Sequence, residues 1–349
     1  MLFLSQRRIV RSTIVLAAAI LCVFTSSSAF SQGPYQVVDH WKIGGNGSWD
    51  YLVNDPSAHL LYVTHRTRVE IVDTTTGKAF GAITGLKNAH GVALDAEGNF
   101  GYISDGLSND VMVFDRRTFK PVTTVATGEN PDGITFDPLT RTVWAFNGKS
   151  STATVIDAAT NRVVATIALP GKPEFPLADG KGSVYDNLES TSSIVRLDVH
   201  TKTVIATWKL VNCEAPTGLA LDVQNRRLFA VCDNNKMDVV DADTGKELAA
   251  PAIGDSPDAA RFSATHQLAF SSNGGGTLTV VDAANGYKVI ENLPTPKGAA
   301  ALAYDEGTDR MFLSMAEYGP APAASTVKSR HPQAPMVPDS FTILVVGRK

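Results

Sequence analysis

Residues 128–167 read GENPDGITFDPLTRTVWAFNGKSSTATVIDAATNRVVATI. Four short apolar runs, ITF, VWAF, ATVI and VVATI, are separated by polar turns rich in Gly, Pro, Asn and Asp. Each run is β-branched or aromatic and alternates with period two, and none carries the 3.6-residue period of a helix. The phrase made of an apolar run, an Asp, a polar turn and a second apolar run then recurs. It reads VEIVDTTTGKAFGAI, VMVFDRRTFKPVTTV, ATVIDAATNRVVATI, IVRLDVHTKTVIATW, MDVVDADTGKELAAP and LTVVDAANGYKVIEN, with its aspartates at Asp73, Asp115, Asp157, Asp198, Asp241 and Asp282. The spacings are 42, 42, 41, 43 and 41 residues. Four strands in a unit of this length are the signature of a propeller blade.

Six units are explicit and a seventh is split. AALAYDEGTDRMFLSMA at 300–316 supplies two strands and FTILVV at 341–346 a third. VVDHWKI at 37–43 matches the strands that follow each Asp and supplies the fourth. Joining both ends of the chain in one blade removes the open edges of an unclosed array. The expectation is an all-β, seven-bladed propeller of four-stranded blades, one domain over 32–349, with a Pro/Ala-rich insert at 317–340. The phrasing NPDGITFDP…VID.AT..VVATI resembles the YVTN-repeat propeller family, specifically its exported YncE-like members, along the whole chain after the leader. That resemblance implies a secreted or periplasmic propeller and leaves the ligand open.

The first 31 residues differ from the rest. Arg7, Arg8 and Arg11 precede an apolar run from Ile14 to Phe24 and then the small residues TSSSAFSQG. This is the pattern of a cleaved secretory signal peptide, far shorter than the ~20 apolar residues of a spanning helix. No membrane span is expected after cleavage. The twin arginines leave Sec and twin-arginine export both open. The whole chain has 349 residues, 44% hydrophobic and 19% charged, an ordinary globular composition. Removing three leader arginines from 31 Lys and Arg leaves 28 against 35 Asp and Glu, a mature charge near −7. With no basic run, that balance argues against nucleic-acid binding. Of the cysteines outside the leader, Cys213 precedes the first strand of its unit and Cys232 ends the second. A hairpin brings them together, so a disulfide in an oxidising compartment is expected, the alternative being two free thiols.

In a propeller the residue heading each inner strand lines the channel mouth. Aligned there, the units give Asp50, His90, Asp132, Glu174, Thr217, Asp258 and Ala299. A purely structural turn would repeat one residue type, so variation at a shared position points to a binding face. The loops after each second strand add Asn147, Asn187, Asn234 and Asn273, with His65 and Glu317 beside them. Trp49, Tyr51 and Phe175 flank the ring and suit either a sugar or cationic ligand or buried aromatic packing between blades. The mid-blade aspartates, present in every explicit unit, are read as turn-forming scaffold. Asp50, His90, Asp132, Glu174 and Asp258 are the candidate metal ligands. Their oxygens suit a divalent cation such as Ca²⁺, whereas His65, His90 and His331 with a carboxylate would suit a transition metal. Lys328, Arg330 and His331 place three basic side chains in the insert, which reads either as a lid over the acidic mouth or as a surface excursion.

No Gly-x-Ser-x-Gly elbow, His-Glu-x-x-His or Gly-rich phosphate loop occurs. The favoured reading is a non-catalytic binding module or scaffold that takes a small molecule, metal or protein at its mouth. The alternative is a metal-dependent hydrolase or lyase of gluconolactonase-like type at the same place, an analogy of fold alone. A quinone-dependent dehydrogenase is disfavoured by a total of four Trp.

Overall fold

The inner-strand phrases are apolar and buried, and they pack edge to edge around a channel. The structure, a computed structural model, describes residues 33–320 and 335–349. The leader and the core of the insert, with Lys328, Arg330 and His331, lie outside the described residues. Within them there are 26 strands and a single turn of 3-10 helix at Glu189–Thr191. The chain is an all-β propeller built on four-stranded antiparallel sheets. No helix among the described residues is long and apolar enough to cross a membrane.

Ring closure follows the expected route. The first strand, Tyr35–Lys42, pairs antiparallel with the last, Thr342–Arg348, in the register Tyr35↔Arg348 to Lys42↔Thr342. That sheet is completed by Arg310–Met315 and Leu302–Asp305. The inner segments touch in succession from Leu52–Asp55 through Lys78–Leu94, Pro131–Asp137, Pro173–Ala178, Pro216–Asp222 and Pro257–Ser263 to Leu302–Asp305, which meets Leu52–Asp55 again.

The expected count of seven blades is corrected to six sheets. Five have four strands and one has six, running from Leu52–Asp55 to Pro121–Ala126. The reason is local. Between second and third strands the five units that follow carry a turn of three or four residues and the closing unit carries the long insert, whereas here Leu60–Asp73 runs unbroken, bent at Arg66, which sits at φ 52°. Its partner Lys78–Leu94 is equally continuous, so Arg66 pairs with Ala89 while Arg68 pairs with Thr84. Hydrogen bonding therefore carries through from the first sequence unit into the second.

The mid-blade aspartates are scaffold. Asp157 Oδ1 accepts from the backbone N–H of Thr160 and from its hydroxyl, and Asp73, Asp115, Asp198, Asp241 and Asp282 make equivalent turns. A second set at the end of the inner strands ties neighbouring units. Asp179 receives Arg226 Nη1 at 2.9 Å, and Arg226 stacks on Tyr185 at 5.9 Å. Arg141 reaches back to Asp95 and Arg116 to Asp55 in the same way. These partly buried pairs fix the angle between units. Cys213 and Cys232 form the disulfide, with Cα atoms 5.3 Å apart across 19 residues of chain.

Candidate functional site at the channel mouth

The repeat decides how each ring residue is presented. In Asn130-Pro131-Asp132-Gly133 the residue with positive φ is Asn130, at 55°, which turns the chain into the inner strand. Gly133 serves a different need. A Cβ there would lie 2.3 Å from Pro176 Cδ and 2.7 Å from the Glu174 carbonyl oxygen, so the next inner strand excludes any side chain. The turn and the close approach aim Asp132 at the channel.

Asp50, Asp132, Glu174 and Asp258 line one cavity of about 160 Å³, with Tyr51, Phe175, Thr217 and Arg261. It shares Asp50, Asp258 and Ala301 with a wider depression of about 1130 Å³ that includes Trp49 and His90. The seventh ring position is corrected: Ala299 is a core residue, and Ala300 lines the mouth. His90 Nδ1 lies 2.7 Å from Asp50 Oδ2 and 3.7 Å from Asp132 Oδ1. Asp50, His90 and Asp132 thereby offer one ligand atom each within 4.8 Å of one another. On its other side the His90 ring meets the Asn88 side chain, Nδ2 to Nε2 at 2.7 Å.

The charges are strongly perturbed. Burial pulls the His90 imidazole down, but the Asp50 hydrogen bond and the Asp132 charge outweigh it and raise it to about 9. Asp132 is pushed up to about 6 by burial and by Asp50, against the opposing pull of His90. Glu174 is pushed up to about 8 by burial and by Asp132. Lys172 Nζ sits 3.1 Å from Glu174 but also holds Glu189, and a cation divided between two carboxylates does not offset the burial. Behind Glu174, Asp186 is wholly buried with neither carboxyl oxygen in a hydrogen bond of good geometry, and burial with its acidic neighbours raises it well above the carboxylate range.

Of the other predicted residues, Trp49 lines the wider depression and the rest line neither space. Asn147 and Asn273 are buried ties that donate to threonine hydroxyls of the adjoining strand, Thr154 and Thr279, at 3.0 Å each. Asn187 Nδ2 donates to the Thr217 and Gly218 carbonyls, stitching the second strand of one unit to the inner strand of the next. Asn234 is exposed and binds the backbone of Asn212 and Glu214 beside the disulfide. His65 is buried against Phe341 and lies 3.5 Å from Glu70, away from the carboxylate cavity. Trp49 stacks on Phe341 at 4.8 Å. Glu317 is exposed at the base of the insert, where its carbonyl accepts from Val337 N–H.

Two residues escaped the sequence reading although the repeat marks them. Arg261 occupies an inner-strand slot filled in the other units by Val53, Ala93, Thr135, Leu177, Ala220 and Ala303. Asp186 stands where the others have Val63, Ile103, Ala145, Ala230, Ser271 and Leu313.

No protein-family model matches the chain, and no curated protein does, so the YVTN-repeat resemblance rests on the sequence phrases alone. Solved structures do match. RRP9 WD40 repeats align with TM-score 0.74 and 10% identity over 91% of this chain and 99% of that one. The U3-55K structure aligns with TM-score 0.72 and 11% identity over 89% and 98%. Hydrazine synthase of Kuenenia stuttgartiensis aligns with TM-score 0.69 and 16% identity over 81% and 95%. At these identities the likeness shows the fold, a β-propeller, and nothing of chemistry.

Proposed function

We propose that the protein is an exported, non-catalytic binding propeller whose acidic mouth takes a cation, a divalent metal ion being the simplest. The observation that carries this reading is the convergence of Asp50, His90 and Asp132 within 4.8 Å, with Glu174 and Asp258 on the same channel. Carboxylates pressed together in a partly dry channel repel one another, and an entering cation removes that repulsion. The imidazole shifts the preferred ion from Ca²⁺ towards one that accepts both nitrogen and oxygen, such as Mn²⁺ or Zn²⁺. Export is supported by the leader pattern and by a disulfide, which persists in oxidising compartments. The YncE-like resemblance agrees with export, and propellers commonly serve as binding or scaffold modules.

The His90–Asp50 contact is the feature that favours a metal-dependent hydrolase instead. An imidazole that ligates the ion, however, has no lone pair left facing the channel with which to act as a general base. Equilibrium dialysis against Ca²⁺, Mn²⁺ and Zn²⁺ tests the binding reading. It predicts retention of at least one of these ions and its loss in Asp132→Asn. Dialysis that retains none of the three, or retains them equally in the variant, contradicts it.

A further inference from the structure

Below the carboxylates the cavity wall carries a charge of the opposite sign. Arg261 projects from Pro257–Ser263 into the 160 Å³ space, and its guanidinium lies 5.2 Å from the centre of the Phe175 ring. Phe175 in turn lies 5.2 Å from Tyr51, whose hydroxyl donates to the Glu174 carbonyl at 2.8 Å, so the aromatic wall is fixed. Arg261 Nη1 donates to its neighbour's carbonyl, Ala260 O, at 2.7 Å, and Nη2 makes a long contact with Leu52 O at 3.4 Å. Among the described residues no carboxylate forms an ion pair with it. Burial without a counter-charge pulls even this guanidinium down to about 10.

A partly buried cation without a carboxylate partner is costly, and the repeat does not demand one here, since the other six units fill the slot with aliphatic residues or threonine. What a planar guanidinium fork on a cavity wall fits is a carboxylate. A simple anion, however, would have to pass Asp50, Asp132 and Glu174. A ligand that enters must therefore bring its own positive charge to the rim. At about 160 Å³ the space is close to the ~150 Å³ of a cavity that holds benzene, a ligand of six heavy atoms, which is the size of the smallest amino acids.

We propose that this cavity binds a small zwitterion of the α-amino acid class, its carboxylate on Arg261, its ammonium on Asp132 and Glu174, and its carbon skeleton against Phe175. The proposal rests on the reading of the mouth as a cation-binding ring and adds a counter-pole beneath it. A side chain larger than methyl points up into the wider depression.

Calorimetric titration of the purified protein with L-alanine, ethylamine and propionate separates the two poles, with Mn²⁺ titrated in parallel. L-Alanine is expected to bind at least tenfold more tightly than either half-molecule. Arg261→Gln is expected to lose at least tenfold in alanine affinity while Mn²⁺ affinity changes less than threefold. Should that variant fail to fold, Arg261→Lys keeps the charge without the planar fork and carries the same expectation. Ethylamine binding as tightly as alanine, no alanine binding at all, or unchanged alanine binding in a folded Arg261 variant overturns the proposal. If Mn²⁺ binds and alanine does not, the zwitterion alone falls; if neither binds, the reading of the mouth falls with it.

Discussion

Stability should fall as pH rises from 6 to 9, and the mouth sets the slope. His90 is raised from 6.5 to about 9, which is 2.5 pH units or about 3.4 kcal/mol in favour of the imidazolium in the folded state. A group raised on folding contributes its full stability below its unfolded value and loses it as pH climbs through the folded one. Of the His90 contribution, about 3 kcal/mol therefore disappears between pH 6 and 9. Its side chain is 16% exposed, so solvent screening takes little from that figure. Glu174, Asp132 and Asp186, also raised, act with the same sign, because the folded state holds protons that the unfolded state has released. Asp238, raised to about 7 by burial and by Glu247, adds to the slope from outside the site. The lowered aspartates such as Asp73 and Asp157 lose their contribution only in acid, so they stay constant in this window. Urea denaturation at pH 6, 7.5 and 9, on wild type and His90→Gln, isolates the His90 share. The deficit of the variant should be about 3 kcal/mol at pH 6 and shrink below about 1 kcal/mol at pH 9. A deficit that is the same at both ends, or a wild type that gains stability towards pH 9, refutes the reasoning.

Three further outcomes follow from the scaffold. Replacing both Cys213 and Cys232 with Ala opens a loop whose closure is worth about 3 kcal/mol, to be read as a lower urea midpoint relative to the oxidised wild type. Gly133→Ala forces a methyl into Pro176 and the Glu174 carbonyl and should cost about 1–3 kcal/mol by the same assay, against near neutrality for Gly81→Ala, whose Cβ would meet only Phe119 at 4.0 Å. Asn187→Ala strips the side-chain donor from two buried carbonyls and should cost about 1–3 kcal/mol without changing metal retention on dialysis, which a ligand role for Asn187 would change.

The sequence carried the propeller because a blade is a local unit: its strands, turns and capping aspartates repeat within about 40 residues, and periodicity exposes them. The ring residues were legible for the same reason, since a shared position must converge once the units close. What failed was whatever depends on contacts between units. The fusion of the first two units hangs on the short bend at Arg66, whose residues carry no unusual pattern. The loop asparagines looked equivalent because each follows a second strand. They fall at different positions along it, so Asn147 and Asn273 turn to their own sheet and Asn187 to its neighbour. Arg261 and Asp186 were visible in principle as the charged members of otherwise uncharged columns, a comparison that needs every column aligned rather than the mouth alone.

The central claim is that Asp50, His90 and Asp132 together take a divalent cation. Calorimetric titration with Mn²⁺ at pH 7, in two buffers of different ionisation enthalpy, tests it most directly. Because His90 is held near 9, an ion bound through its imidazole must displace a proton, and the account predicts release of close to one proton per ion, abolished in His90→Gln. Binding without proton release, or no binding in either buffer, would contradict it.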